Sequence, residues 1–208
     1  MGSSSKKIII EDYSPQWNLQ FEQLSSLFAD RLGRLAIAIE HVGSTAVPGL
    51  CAKPVIDIDI VVDTVSEVTE IIPILAGLGY EYLGVVAIPD RFVFRPPSRT
   101  IPNDGSGRSW QKHHLYCCIQ GSVALANHLI LRDALRKDGN LVNAYAALKN
   151  SLANTATNMD EYVLGKTAFI TEILGAHGMS DGELFEIAEQ NKSVIPATSD
   201  DQLLNNKH

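Results

Sequence analysis

The sequence has few cysteines, no long apolar run and no excess of positive charge, and each absence narrows the possible functions. Its three cysteines contain no Cys-x-x-Cys pair, which argues against a disulfide framework and a cysteine zinc site. No apolar run approaches the roughly 20 residues that a membrane-spanning helix needs. Lys and Arg number 17 against 24 Asp and Glu, so a net charge of −7 does not steer the whole protein toward nucleic acid.

What remains is the composition of an ordinary soluble globular protein. Hydrophobic residues make up 45% and charged residues 20% of the chain. Residues 1–7 lack the apolar stretch of a secretory signal. We therefore expect a reducing, cytoplasmic compartment and no membrane association, and no sequence feature points to an obligate protein partner.

Hydrophobic periodicity divides the chain into an α/β half and a helical half. It predicts helices at 17–35, 65–78 (bent at Pro73), 122–136, 141–152, 160–174 and 181–190. Strands are predicted at 35–41, 52–62, 80–88, 91–95 and 114–119. Asp160 and Asp181 are predicted helix N-caps. The Pro- and Gly-rich residues 96–112 are predicted to form a long loop, which in compact domains is often functional.

Two aspartates interrupt the most hydrophobic predicted strand. Because strand side chains alternate between faces, Asp57 and Asp59 share one face, and Ile56, Ile58 and Ile60 share the other. Buried carboxylates are costly without partners, so a pair on one face points to a metal ion or a cationic group. The alternative is an exposed strand end with two solvated aspartates.

A Val42-Gly43-Ser44 turn precedes this strand, with twelve residues between Ser44 and Asp57. A Gly-Ser turn followed at this distance by alternating acids is similar to the nucleotidyltransferase superfamily pattern. The resemblance implies that the turn holds triphosphate oxygens and that the two acids hold divalent metal. Both roles suit the chemistry, because turn amides form an anion nest and carboxylate oxygens are ligands for Mg²⁺.

A longer string narrows the resemblance to the GrpB-like family. HVGSTAVPGLCAKPVID at 41–57 resembles the family string EHIGSTSVPGLAAKPIIDI. The resemblance covers 8–174 and implies a small mixed sheet of nucleotidyltransferase type (8–120) with a helical bundle (121–174), before a C-terminal helix and polar tail (175–208). Some family members are fused to a dephospho-coenzyme A kinase. Further matching positions are Gly79, Tyr80, Arg91, His114, Leu115, Leu131, Arg132, Asp133, Leu135, Arg136, Tyr145, Leu148, Lys149, Tyr162 and 166–169.

The sequence departs from the pattern where a metal-dependent nucleotidyltransferase supplies a third carboxylate. The strand at 114–119 contains no acid, and Tyr116 stands where the family has a second histidine. This argues against two-metal chemistry. It leaves one Mg²⁺ ion, or a guanidinium group with its fork of N–H donors, as the partner of Asp57 and Asp59. Fungal relatives of this family include arginine-containing cyclodipeptide synthases that use aminoacyl-tRNA, and the resemblance implies an arginyl group at the acid pair.

Ser44 and nearby histidines are candidates for catalysis. Ser44 is a candidate phosphate contact or acyl-accepting nucleophile with His41, His113 or His114 as its base, or it only caps the turn. Thr45 has the same alternatives. Because His113 and His114 point to opposite strand faces, only one can enter a site, and the other is expected at the surface.

Basic residues are candidates for binding. Arg91 and Arg95 suit a phosphate or carboxylate, or else they pair with Asp57 and Asp59. His128 is expected to be a satisfied core histidine. The predicted substrate contacts are Gly43, Thr45, Lys53, Asp57, Asp59, Arg91, Arg95 and Tyr116. The predicted phosphate or RNA contacts are Arg132, Arg136, Lys149 and Lys166, which alternatively form helix salt bridges with Asp133, Asp138 or Glu161.

These residues predict a transferase acting on a nucleotide-ended substrate. The leading hypothesis is aminoacyl-tRNA-dependent synthesis of an arginine-containing cyclic dipeptide, with Asp57 and Asp59 holding the cation and a histidine moving protons. The alternatives are Mg²⁺-dependent nucleotidyl transfer from a nucleoside triphosphate, with both aspartates as metal ligands, and a non-catalytic nucleotide- or coenzyme-binding module. No cofactor is certain, and Mg²⁺ is possible.

Overall fold

The predicted α/β class is confirmed: a small mixed sheet precedes a group of helices. The computed structural model describes residues 8–86 and 88–193. The lead-in before residue 8 and the predicted polar tail from residue 194 lie outside the described residues. In the part that is described, no helix combines the length and apolar character needed to cross a membrane.

Five strands form one sheet in the order β1-β2-β5-β4-β3. Their pairing is parallel between β2 and β5 and antiparallel elsewhere. The parallel pair places the carboxylate strand beside the strand that carries the two adjacent histidines. The strands are β1 Ala38–Val42, β2 Ile56–Val62, β3 Glu81–Val85, β4 Arg91–Arg95 and β5 His113–Ile119.

The helices lie close to their predicted positions. Short 3₁₀ turns at Gly33–Leu35 and Ser44–Ala46 flank β1, so β1 begins three residues later than predicted, and β2 begins after Pro54. Pro73 lies inside the second helix, and 96–112 is the loop between β4 and β5. The helices are α1 Gln16–Leu32, α2 Val65–Gly77, α3 Val123–Lys137, α4 Gly139–Thr155, α5 Met159–Ala176 and α6 Asp181–Ser193.

The two predicted N-caps are wrong by one or two residues. Asn158 caps α5 by accepting a hydrogen bond from the Glu161 amide at 2.9 Å. Ser180 and Glu183 exchange hydrogen bonds at the start of α6, as in a capping box. Asp160 and Asp181 instead lie in the first turns, where their charge favours the positive end of the helix dipole.

Alternation along β2 sorts its side chains as predicted. Ile56, Ile58 and Ile60 are fully buried against α1 and α2, and each such side chain contributes about 1.5–3 kcal/mol relative to exposure. The opposite face carries Asp57 and Asp59 toward α3. The isoleucine face therefore fixes the register that points both carboxylates at the helical half.

Candidate active site

A cavity of about 640 Å³ opens between this face of the sheet and helices α3, α4 and α5. Among the described residues that line it, eight are Lys or Arg and one, Asp57, is an acid. The whole chain carries a net charge of −7. The cavity is therefore positively charged although the protein as a whole is negative. The basic residues are Lys53, Arg91, Arg95, Arg99, Lys112, Arg132, Lys149 and Lys166.

Most of the predicted site residues meet at this cavity. Those in its wall are Gly43, Ser44, Thr45, Lys53, Asp57, Arg91, Arg95, His114, Tyr116, Arg132, Lys149 and Lys166. His41, Asp59 and Arg136 do not line it. Residues from β1 through α5 thus converge, although they lie far apart in the sequence.

The centre of the sheet wall is a carboxylate–imidazole pair. Asp57 and His114 are register partners on the parallel strands β2 and β5, and His114 Nδ1 lies 2.8 Å from Asp57 Oδ1. Both side chains are about 30% exposed, to the cavity. Burial in the cavity floor would raise the pKa of Asp57, but the hydrogen bond and charge of His114 outweigh it and lower that pKa.

Gly43 is required by this arrangement. Its φ of +70° favours glycine, and a Cβ there would lie 2.3 Å from Asp57 Oδ2. One oxygen of Asp57 thus faces His114 and the other packs on the Gly43 backbone. The turn that follows holds Ser44 at the cavity wall, which Tyr145 also lines.

A second carboxylate–imidazole pair lies beside the first. His128 Nδ1, from α3, is 2.7 Å from Asp59 Oδ2. His128 lines the cavity, whereas Asp59 is completely buried behind it. His128 therefore has a hydrogen-bond partner as expected, but its expected core position is wrong, because it is partly exposed to the cavity. Its i, i+4 spacing to Arg132 was the available sequence signal, because it puts His128 on the same helix face as a predicted site residue. We call Asp57, His114, Asp59 and His128 the imidazole wall.

Lysines lie in the part of the cavity wall that α5 and the segment before β2 form. Lys166 Nζ lies 4.4 Å from the centre of the Tyr162 ring. Burial, and then the positive charge of Lys53, lower the pKa of Lys166 to about 8, against a smaller opposing effect of Asp57. Lys53 itself reaches Met159 Sδ at 3.6 Å. We call Lys53, Lys166 and Tyr162 the lysine corner; two cations this close favour an anion between or beside them.

Lys149, predicted to contact phosphate or RNA, is held by the protein instead. It is 2% exposed, and its ammonium donates to the Cys51 carbonyl and faces the Tyr145 ring. Burial lowers its pKa to about 8. Its role in the fold is to tie α4 to the segment before β2.

The arginines differ in how far they are already bonded. The suggested pairing of Arg95 with the aspartates is wrong, because Arg95 Nε donates to Glu81 at 2.9 Å. Arg132 bonds Glu40 at 2.5 Å and Asp133 at 2.7 Å, which confirms the salt-bridge alternative with Asp133. Arg136 donates to the Ala46 carbonyl at 2.9 Å and lies outside the cavity.

Arg91 is the arginine best placed to receive a ligand. Its guanidinium lies 4.6 Å from the centre of the Tyr116 ring. Its Nε is buried and has no hydrogen-bond partner within the described ranges. A buried donor without an acceptor is costly, and an anion in the cavity would satisfy it.

Two of the predicted histidines have structural positions. His41 is buried, stacks on Phe21 and contacts Thr45 Oγ1 at 3.0 Å, and burial lowers its pKa to about 4. His113 is 3% exposed and contacts the Tyr80 hydroxyl at 2.5 Å. The expected surface position of one of the two adjacent histidines is therefore wrong, because His113 faces the α1–α2 side.

Mg²⁺ is the metal ion that the sequence suggests for Asp57 and Asp59. A two-ion centre needs several accessible oxygens in near-octahedral geometry. Here Asp59 is fully buried, each aspartate gives one oxygen to an imidazole, and Tyr116 occupies the register position beside Asp59. No group of three or more His, Cys, Asp or Glu arranged for a metal occurs in the described part of the chain. These residues do not fit a two-ion centre.

A mixed sheet closed by helices over a basic cavity defines the α/β class of the protein. Comparison with known proteins gives its family. The chain belongs to the GrpB family, whose model, described as GrpB protein, matches residues 7–176. It is 32% identical to the UPF0157 protein BH1888 of Halalkalibacterium halodurans over 80% of both chains. A relative from Bacillus subtilis is longer, and the chain spans 46% of its length.

One solved structure is of a protein named GrpB. The crystal structure of GrpB from Enterococcus faecalis superposes with a TM-score of 0.67 and 28% identity, covering 86% of this chain and 98% of that chain. The Cid1 poly(U) polymerase with MgGTP bound has a TM-score of 0.49 and 16% identity, covering 68% of this chain and 44% of that chain.

Proposed function

We propose that the protein is a transferase acting on a substrate with phosphate groups, of the nucleotide-ended class. The observation that carries this proposal is the cavity wall, where the described residues include eight basic side chains and one carboxylate. The whole chain, in contrast, has a net charge of −7. Basic side chains in a cavity with low-dielectric walls focus positive potential and attract an anionic ligand. The family relationship leaves the substrate open.

In this proposal the lysine corner binds the substrate and the imidazole wall carries out the chemistry. Phosphate oxygens lie in the lysine corner, and Arg91 supplies its unpartnered Nε to a further anionic group. The reacting group lies at the imidazole wall. There Asp57 accepts from Nδ1–H of His114, so that Nε2 of His114 takes the proton of the attacking nucleophile.

Aminoacyl-tRNA is one specific form of this substrate, and Ser44 favours it. In that version the Ser44 hydroxyl attacks the acyl carbon of the aminoacyl ester, the ester bond breaks, and the tRNA hydroxyl leaves with a proton. The amine of a second aminoacyl-tRNA then attacks the Ser44 ester, and the Ser44 hydroxyl is released with a proton as the peptide bond forms. The free amine of the arginyl residue next attacks the remaining tRNA ester, and the second tRNA hydroxyl leaves with a proton as the ring of the cyclic dipeptide closes. An arginyl guanidinium would meet Asp57 at the wall, since Asp59 is completely buried.

Mg²⁺-dependent nucleotidyl transfer is the second specific form. It requires Asp57 and Asp59 to release their imidazoles and bind the metal, which the donor set does not favour. A binding module without turnover is the non-enzymatic form, and it would use the lysine corner alone.

One experiment separates these forms. Metabolites from a host expressing the wild type or Asp57→Asn are compared by mass spectrometry, and the purified proteins are assayed with charged tRNA and with nucleoside triphosphates, each with and without Mg²⁺. A product lost in Asp57→Asn supports the transferase, and its structure identifies the substrate. Strict Mg²⁺ dependence would favour the nucleotidyl form. Phosphate-ligand binding without any product would contradict the transferase and leave the binding module.

A further inference from the structure

The two aspartates of β2 are bonded in the same way. Asp57 meets His114 Nδ1 at 2.8 Å, and Asp59 meets His128 Nδ1 at 2.7 Å. The two imidazoles come from different elements, β5 and α3. A repeated bond from independent elements indicates that the carboxylates are placed to hold imidazoles.

This bond fixes which nitrogen of each neutral imidazole carries the proton. A carboxylate accepts hydrogen bonds, so the Nδ1 of its imidazole partner carries hydrogen. Nε2 of His114 and of His128 is then a proton acceptor. Carboxylates that orient histidines in this way set both the tautomer and the ring direction.

In the second pair, only the histidine is exposed to the cavity. His128 lines the cavity with 22% of its side chain exposed, whereas Asp59 has no exposure and does not line it. Asp59 therefore reaches a substrate only through His128. The Tyr116 ring centre lies 6.2 Å from each imidazole ring centre, so the two histidines flank one tyrosine on the same wall.

We infer that His128 is a second proton-transfer residue and that Asp59 is its positioning residue. This inference rests on the proposed transferase function. As the nucleophile bonds to the phosphorus or acyl carbon, His114 Nε2 takes its proton. As the bond to the leaving group breaks, protonated His128 Nε2 gives a proton to the leaving oxygen. Exchange with water then restores both histidines, so the step needs no other reactant.

The tautomers are measurable without knowing the substrate. Long-range ¹H–¹⁵N spectra of histidine-labelled protein are recorded for the wild type, His114→Gln and His128→Gln, which assign the two signals. His177 is the internal reference, because its Nδ1 lies 2.8 Å from the Ile173 carbonyl and it does not line the cavity. We expect neutral His114 and His128 to carry hydrogen on Nδ1, and Asp59→Asn to alter the tautomer of His128 alone.

Inorganic pyrophosphate is the ligand probe. We expect it to shift the Nε2 signals of His114 and His128 but not that of His177. Once a turnover assay exists, His128→Gln should lose about 10²–10⁴ of the rate and Asp59→Asn about 10–10², with pyrophosphate affinity retained in both. His177→Gln should leave the rate unchanged.

The outcomes distinguish this inference from the function on which it rests. Hydrogen on Nε2 of neutral His128, a pyrophosphate response that omits His128, or full turnover in His128→Gln would each overturn the inference and leave the transferase standing. Failure of the wild type to bind pyrophosphate or any nucleotide would reject the proposed function, and the inference with it.

Discussion

The imidazole wall and the lysine corner of the cavity differ in how their charged groups are paired. In the imidazole wall each carboxylate is matched with an imidazole at 2.7–2.8 Å. In the lysine corner positive charge meets positive charge, and Lys53 helps lower the pKa of Lys166. A wall in which carboxylates orient imidazoles is suited to moving protons at a reacting bond, and a corner that contains two lysines is suited to holding an anion. Substitutions in the imidazole wall should therefore affect kcat, and substitutions in the lysine corner should affect ligand affinity.

The largest effect is expected at the Asp57–His114 pair. Asp57→Asn and His114→Asn should each lower kcat by about 10²–10⁴, because the base loses its orientation or is removed. The double variant should be no slower than the slower single variant, since the two groups act as one unit. Steady-state kinetics of all four proteins measure this. Additive losses would show that the aspartate and the histidine act separately.

Substitutions in the lysine corner should affect binding instead. Lys53→Gln and Lys166→Gln each remove a charge-assisted contact worth about 1.5–3 kcal/mol, so pyrophosphate affinity should fall roughly 10- to 100-fold, with kcat at saturation retained. Titration calorimetry measures the affinity. Lys137→Gln is the control, because Lys137 is exposed at the end of α3, outside the cavity. An equal loss in the control would mean that overall charge, and not the corner, attracts the ligand.

A smaller effect, on stability, is expected at Gly43. Gly43→Ala and Gly49→Ala both place a side chain at positive φ, which costs roughly 1–2 kcal/mol. Only at Gly43 would the new Cβ meet Asp57, since the space beside Gly49 is open. Urea denaturation should show a larger loss for Gly43→Ala, accompanied by loss of turnover. Equal losses in the two variants would mean that Asp57 moves aside freely, and that its contact with Gly43 does not position it.

The fold was accessible from the sequence because its signals are local. The alternation of Ile and Asp at 56–60 predicts both the strand and the residues on each of its faces. The Pro- and Gly-rich composition of residues 96–112 predicts the loop. Helix caps were predicted less well. Asn158 and Ser180 compete with nearby acids, and side-chain geometry rather than residue type decides between them.

The hydrogen bonds of the site could not be predicted from local sequence patterns. Asp59 and His128 lie 69 positions apart, and Asp57 and His114 lie 57 apart. Their meeting depends on parallel pairing of β2 with β5 and on the packing of α3 over the sheet. The sequence predicted a metal ion or a cationic group as the partner of the two carboxylates, whereas the structure gives each of them an imidazole. An imidazole on a distant strand or helix leaves no local signal in the sequence.

The smallest expected effect is a pH dependence with opposite signs for binding and stability. Burial lowers the pKa of Lys166 and of Lys149 to about 8, and an unfolded lysine titrates near 10.4. Between about pH 8 and 10.4 the unfolded chain binds more protons, so these lysines make the free energy of unfolding rise with pH. Over the same range Lys166, which faces Lys53, Tyr162 and Asp57, loses its charge, so anion affinity should fall.

Sulfate titrations test the binding effect, because the charge of sulfate is constant over this pH range, and urea denaturation tests the stability effect. Lys166→Gln should flatten the binding profile, and Lys137→Gln should not. Sulfate binding that strengthens above pH 8 would show that Lys166 does not hold the anion.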